Sequence, residues 1–431
     1  MSKYNDTIYA LSSASGKAAI AVIRISGKKT TNILKKISNI KKNTPNKTKL
    51  TLLIFKKKII DQVIITYFKN PKSFTGEDML EINCHGNPVI ISKISNILEG
   101  LGVRLAEPGE FTKRALINDK LDLVQTESLS DLINAETDKQ RSLALSNLTG
   151  KLTFFTDKIS SKLSKVVANI EALIDFSDED LPKNVLKNIK EQNKNIKKEI
   201  IKELKNSYLS KPIREGFLVS IVGKPNTGKS SFINFISKKE VSIVTNIPGT
   251  TTDAITSSVD ISGYKFTFYD TAGIRRHKNR IEEIGIKKTK EIMKKSDLCL
   301  VFLENNEKKT YQNLKKKIFV RSKFDKKNKK TNITEVYNIS SVTGDGVGSL
   351  LKKIKDKLIK NQKNEPVLSR ERHINIMKDV LGILSSVDFS KNLDILAFQF
   401  RDALKHSLEI NQKFDIEKIL DIIFKDFCIG K

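Results

Sequence analysis

The chain has 431 residues, 39% of them hydrophobic, which suits about two to four domains with ordinary cores. It has no run of about 18 apolar residues and no basic head followed by an apolar core at its N-terminus, so neither a membrane span nor a secretory signal is expected. The formal charge of +29 points toward polyanionic partners, but only 12 of the 78 cationic residues are Arg. Because the lysines spread over every segment, a solvated lysine-rich surface explains the charge equally well. Three scattered cysteines, Cys84, Cys299 and Cys428, exclude a disulfide framework and fit a reducing cytoplasm. No Cys/His pair has zinc-ligand spacing, and Cys299 in "DLCLVFLE" reads as a core thiol.

Residues 1–120 alternate short β-rich runs ("AAIAVIRISG", "QVIITYF", "MLEINCHG") with Gly, Pro and Asn breaks, and "NPVIISKISNILEGLG" reads as a helix closed by glycine. This predicts an α+β domain. Residues 121–212 read as helical. Leu148, Leu152, Phe155, Ile159, Leu163, Val166, Ile170 and Leu173 recur at steps of three and four and predict one striped face, with a second helix from Asn184 to Ser207. Residues 213–362 alternate strand and helix, the pattern of a mostly parallel sheet covered by helices. Residues 363–431 return to helix and end on "FDIEKILDIIFKDFCIGK", with Asp415 as the expected N-cap and Ile419, Ile423 and Phe427 on one face. Helical segments on both sides of an intact α/β unit predict that the unit is inserted into a helical domain.

One motif carries recognisable chemistry. "GKPNTGKS", Gly223 to Ser230, follows the apolar strand "FLVSIVG" and opens the helix "SSFINFIS", the context a phosphate-binding loop requires. Glycines let backbone N–H groups turn inward around phosphates, Lys229 reaches the β- and γ-phosphates, and Ser230 ligates Mg2+. Downstream, "DTAG" (Asp270 to Gly273) ends the strand "YKFTFYD", and "PGTTTD" supplies Thr251 for the Mg2+ shell. "SKFD" (Ser322 to Asp325) follows "KIFVR"; Asp325 accepts both N1–H and N2–H of guanine, which adenine does not offer. Ser340 and Ser341 complete the base pocket. Five elements in the right order on the right elements define a domain that binds and hydrolyses GTP.

Two departures stand out. Ser322 occupies the position usually held by Asn or Thr, and its shorter side chain predicts weaker bracing of the base loop. Ile274 follows "DTAG" where Ras-like enzymes carry a water-orienting glutamine, so hydrolysis needs other help. Asn226, holding a monovalent cation beside the phosphates, and Glu282, orienting the attacking water, are the two candidates.

Taken together, "VIRISG", "SFTGEDMLEINCHG", "PGEFTKRALINDKLDLVQTE", "GKPNTGKSS", "TNIPGTTTD", "DTAGIR" and the terminal "FCIGK" resemble the family of tRNA-modifying GTPases called MnmE or TrmE, in order over the whole chain. The resemblance implies an N-terminal folate-binding and dimerisation domain, a discontinuous helical domain and an inserted P-loop, Ras-like G domain. It implies a cytoplasmic homodimer that joins the FAD-dependent partner MnmG in a heterotetramer and acts on tRNA. There it adds an aminomethyl or carboxymethylaminomethyl group to C5 of the wobble uridine, using a one-carbon unit from a tetrahydrofolate derivative.

Carried over by position, the folate contacts are Arg24, Glu81, Lys120 and Lys431, with Cys428 a candidate catalytic thiol beside the donor. The nucleotide contacts are Asn226, Thr227, Gly228, Lys229, Ser230 and Ser231, then Thr245, Asn246, Ile247, Pro248, Gly249, Thr250 and Thr251, then Asp270, Thr271, Ala272 and Gly273, and finally Lys323, Asp325, Ser340 and Ser341. Mg2+ falls on Ser230 and Thr251; K+ falls on Asn226, Thr245, Ile247 and Thr250, stimulating hydrolysis, with Glu282 and Lys229 catalytic. The segment 304–317 is short for the family.

Two other functions fit part of the sequence. An RNA-binding assembly GTPase would use the basic surface but has no need of the folate blocks or the "FCIGK" tail. A prenylated switch would use the Cys four from the end, but Gly430 and Lys431 are poor residues for that signal.

Overall fold

A computed structural model describes residues 6–40, 44–175, 184–239, 242–243, 256–270, 293–304, 308–314, 316–323, 336–359, 365–411 and 430. The chain folds into two compact units, 1–130 with 147–156 and 408–431, and 131–146 with 157–407.

The first unit is built on a six-stranded sheet of β1 (Ile8–Leu11), β2 (Ala18–Ser26), β3 (Thr48–Phe55), β4 (Lys58–Phe68), β5 (Met79–Gly86) and β6 (Arg104–Leu105). The strand order is β3-β4-β5-β2-β1-β6, antiparallel except for β1 with β6. Alternation sorts the two faces. Leu80, Ile82 and Cys84 of β5 point into a core with Ile23, Ile25, Val63 and Ile65, which α1 (Thr30–Ile37) and α2 (Pro88–Gly100) cover with Ile33, Leu34, Ile94 and Leu98. Glu81, Asn83 and His85 take the opposite face, where Arg24 of β2 lies in register with Glu81. The Asn87 side chain caps α2 by accepting from the Val89 amide at 2.8 Å, and left-handed Gly102 (φ +74°) follows its last turn, as the glycine-closed helix predicts. After β6 come α3 (Glu110–Ile117), α4 (Leu123–Ile133) and α5 (Asp138–Leu148).

The expected single stripe from Leu148 to Leu173 divides. Gly150, at φ +94°, separates α5 from α6 (Lys151–Asp175), so Leu148 ends one helix while Leu152, Ile159, Leu163, Val166 and Ile170 line the buried face of the next.

In the second unit, α7 (Val185–Asn206) and the short α8 (Ser210–Glu215) precede a seven-stranded sheet. Its strands are β7 (Phe217–Gly223), β8 (Ser242–Ile243), β9 (Thr256–Ile261), β10 (Tyr264–Asp270), β11 (Leu298–Phe302), β12 (Lys317–Arg321) and β13 (Val336–Asn338), in the order β13-β12-β11-β7-β10-β9-β8. Pairing is parallel from β13 to β10 and antiparallel at β10·β9 and β9·β8. Helices α9 (Lys229–Lys239) and α10 (Val347–Leu358) cover it, with Phe232 meeting Phe268 edge-on at 6.0 Å in a core with Val219, Ile221 and Leu350. Helices α11 (Glu371–Ser386) and α12 (Leu393–Leu408) follow; Met377, Val380 and Leu384 of α11 are buried, as are Ile189, Ile196 and Ile200 of α7. The predicted last helix, with Asp415, Ile419, Ile423 and Phe427, lies outside the described residues.

Candidate nucleotide site and N-terminal cluster

The phosphate loop joins the end of β7, the central strand of its sheet, to the start of α9. Its glycines are required sterically. A Cβ on Gly223 (φ +148°) would stand 2.4 Å from the Phe302 carbonyl oxygen, and one on Gly228 (φ +90°) 2.3 Å from the Ser322 hydroxyl oxygen. Asn226 is left-handed as well, at φ +62°. Lys229 is buried at 4% exposure, and its ammonium donates to the carbonyls of Gly223 (3.0 Å) and Lys224 (2.6 Å) inside the loop. One residue on, the exposed Ser230 hydroxyl donates to Oδ2 of buried Asp270 at 2.9 Å. Two hard oxygen donors so placed, one in the first turn of α9 and one at the end of β10, suit a Mg2+ ion.

The base loop is tied to the phosphate loop twice. Ser322 Oγ donates to the Thr227 carbonyl, and Lys323 Nζ donates to the Asn226 carbonyl at 2.7 Å. The short Ser322 side chain still reaches the loop, because Gly228 leaves it room. Ser340 is buried, and its side chain accepts from the amides of Val342 (3.3 Å) and Thr343 (3.2 Å), shaping the turn that carries the half-buried Ser341. Thr227 is buried and Ser231 exposed. Residues 245–251, which hold Thr245, Asn246, Ile247, Pro248, Gly249, Thr250 and Thr251, lie outside the described residues, as do Thr271, Ala272, Gly273, Glu282 and Asp325.

A second cluster forms on the outer face of the N-terminal sheet. Arg24 gives both Nε (3.0 Å) and Nη2 (2.8 Å) to Oε1 of Glu81, and its guanidinium lies 5.5 Å from the Phe74 ring and 5.8 Å from the Phe111 ring. Two residues beyond Phe74, Gly76 packs beneath the stem of Lys120; a Cβ there would sit 3.3 Å from its Cε. Arg24 and Lys120 thus engage the same loop. At the end of β1, the Ser12 hydroxyl donates to the Gly430 carbonyl at 2.8 Å, while the Ser12 amide bonds Val22, two residues before Arg24. Gly430 therefore seats against this sheet. Cys428 and Lys431, on either side of Gly430, lie outside the described residues. Phe74 and Phe111 lie inside the quoted motif blocks, but nothing in the spacing marks them as neighbours of Arg24, and Ser12 lies in no block.

Burial pushes the thiol of Cys84 up to about 11, and that of Cys299, on β11, also upward, so both are inert core thiols. Among the described residues no helix is long and apolar enough to cross a membrane, and no group of three His, Cys, Asp or Glu could hold a metal ion.

The loop geometry and the parallel sheet define, within the second unit, a P-loop GTPase domain of the Ras-like class. It is embedded in a larger chain whose N-terminal unit carries its own cluster. Residues 7–120 match the family model of the GTP-binding protein TrmE N-terminus, and residues 123–428 match that of the MnmE helical domain. The tRNA modification GTPase MnmE of Rickettsia bellii (strain RML369-C) is 37% identical, over 99% of this chain and 100% of that protein. The protein of the same name from Pelagibacter ubique (strain HTCC1062) is 38% identical, over 99% of this chain and 100% of the relative. This chain belongs to the MnmE family. Among solved structures, Era in complex with MgGDPNP and a 16S ribosomal RNA segment is 26% identical, covering 35% of this chain and 59% of that one, at a TM-score of only 0.28.

Proposed function

We propose that this chain hydrolyses GTP as the motor component of tRNA wobble-uridine modification. It works in the cytoplasm as a homodimer, with an FAD-dependent partner of the MnmG type. The product is an aminomethyl or carboxymethylaminomethyl group at C5 of the uridine, its carbon drawn from a tetrahydrofolate derivative. In the G domain, Lys229 leaves its carbonyl cage for the β- and γ-phosphates, and Ser230 turns its oxygen to Mg2+ with Thr251. Potassium at Asn226, Thr245, Ile247 and Thr250 supplies positive charge that an arginine finger would otherwise provide, and Glu282 orients the attacking water.

In the N-terminal unit the cations divide the labour. Arg24 is engaged by Glu81, so it orients that carboxylate, leaving Oε2 for the donor N–H groups of a pterin ring. The exposed Lys120, together with Lys431, then serves the glutamate carboxylates of the carrier, and Cys428 stands beside the donor carbon.

One observation carries this reading over an RNA-assembly GTPase: the Gly430 carbonyl is bonded to Ser12, whose amide pairs with Val22, two residues along the strand from Arg24. A tail returned to that cluster has a use in one-carbon chemistry and none in RNA chaperoning. Nucleoside mass spectrometry of total tRNA from a deletion strain tests it. Loss of the C5-modified wobble uridine, restored by the wild-type chain, is the expected result; unchanged wobble uridines would overturn the proposal.

A further inference from the structure

Among the described residues, Arg114 of α3 is the largest side chain buried to under 2% exposure, and neither the nucleotide chemistry nor the folate contacts employ it. Its Nη2 donates to Asp6 Oδ1 (2.7 Å) and Glu110 Oε1 (2.9 Å), and its Nη1 to the Asp6 carbonyl (3.0 Å) and Glu77 Oε2 (3.1 Å). Arg104 supplies a second positive charge to two of these carboxylates, at 2.8 Å from Asp6 and 2.7 Å from Glu110.

The network continues beyond the ions. Glu77 Oε2 also accepts from Ser26 Oγ at 2.7 Å, which shares a 2.7 Å bond with Thr75 Oγ1. The Thr75 carbonyl accepts from Asn118 Nδ2 at 2.7 Å. Thr75 stands between Phe74, whose ring faces Arg24, and Gly76, which lies beneath Lys120.

We propose that Arg114 is a positioning residue for the N-terminal site: it fixes the loop 73–77 so that Phe74 lies against Arg24 and Gly76 under Lys120. This rests on the one-carbon reading above. Buried ion networks are commonly replaced by well-packed apolar groups with no loss of stability, so simple glue does not require one here. A guanidinium fork supplies direction instead, because its planar donors fix where each carboxylate sits. Three carboxylates from three separate segments meet on this one fork, and one of them, Glu77, ends the loop that Arg24 and Lys120 touch.

The test uses the full chain with Arg114→Lys, which keeps the charge and loses the fork. Leu98→Val serves as a comparison, since it lies in the core on the opposite face of the sheet. Tetrahydrofolate binding is measured under anaerobic conditions beside amide hydrogen exchange in residues 73–79 without ligand. At matched loss of thermal midpoint, Arg114→Lys should speed exchange in the loop and weaken tetrahydrofolate binding by about tenfold or more, while Leu98→Val does neither. Glu77→Gln should reproduce both effects and add little to Arg114→Lys in the double variant. Unchanged exchange and affinity in Arg114→Lys, or the same changes in Leu98→Val, would overturn the positioning role alone. A wild-type chain that binds no tetrahydrofolate would instead overturn the one-carbon reading, and with it the purpose given to the clamp.

Discussion

The Ser322 hydroxyl donates to the carbonyl of Thr227, so the loop that reads the base is bonded to the loop that holds the phosphates across 95 residues of sequence. Ser322→Ala leaves the Thr227 carbonyl without that donor and should weaken GDP and GTP binding by about 1–2 kcal/mol, roughly tenfold. Gly228→Ala is harsher, because its Cβ would stand 2.3 Å from the Ser322 oxygen at a φ of +90°. Binding of a fluorescent GDP analogue should fall by roughly a hundredfold or more, and wild-type affinity in Gly228→Ala would refute the coupling of the two loops.

The G domain was legible because its chemistry is local. Gly223, Lys229 and Ser230 occur within eight residues, flanked by a strand and a helix that announce themselves by periodicity. The outcome at Ser322 was not legible, because the room that lets a short side chain reach Thr227 is made by a glycine 94 residues away. The motif blocks single out Arg24 and Glu81, but their mutual ion pair depends on β2·β5 register, which alternation alone does not fix. Arg114 reads in sequence as one more cation on a short helix. Only the fold brings Asp6 and Glu77 to it.

Potassium dependence follows from the proposed role of Asn226 and from the isoleucine after "DTAG". Replacing KCl with NaCl at constant ionic strength should lower the GTPase rate by about tenfold or more, as expected when charge beside the phosphates is lost. Asn226→Ala should bring the rate in potassium down to that in sodium. Equal rates in the two salts for the wild type would sink the cation mechanism.

The ion network around Arg114 also sets an acid limit. Burial pushes the carboxyls of Asp6 and Glu110 up, but hydrogen bonds from Arg104 and Arg114, joined at Glu110 by the Glu107 amide, outweigh it and hold both below the usual carboxylate range. A carboxylate with a depressed folded value stabilises the fold above its unfolded value, about 4, and that stability is lost as pH falls through the folded value. The N-terminal unit should therefore hold its thermal midpoint down to about pH 5 and lose it steeply below about pH 4. Glu110→Gln removes one partner of a buried pair and should cost about 3 kcal/mol at pH 7, with a flatter acid limb. A Glu110→Gln melting profile parallel to the wild type from neutral pH down through the acid limb would show that the network contributes nothing to it.

The seat of Gly430 admits no other residue. Its φ is +102°, and a Cβ would stand 2.2 Å from the Leu11 carbonyl oxygen and 3.0 Å from the Ser12 Cα, all backbone of a sheet strand or its immediate continuation. Because neither neighbour can yield, Gly430→Ala should lift the tail from the sheet at a cost of about 1–3 kcal/mol in backbone strain alone. Tetrahydrofolate binding and tRNA modification should both fall by about tenfold or more, while the GTPase rate, set in the other unit, stays within about twofold. Ser12→Ala removes only the 2.8 Å hydrogen bond and should cost about 1 kcal/mol, a loss of roughly fivefold. This graded pair distinguishes a seated tail from a tethered one. If Gly430→Ala modified tRNA at the wild-type rate, the contact with Ser12 would be incidental to the chemistry.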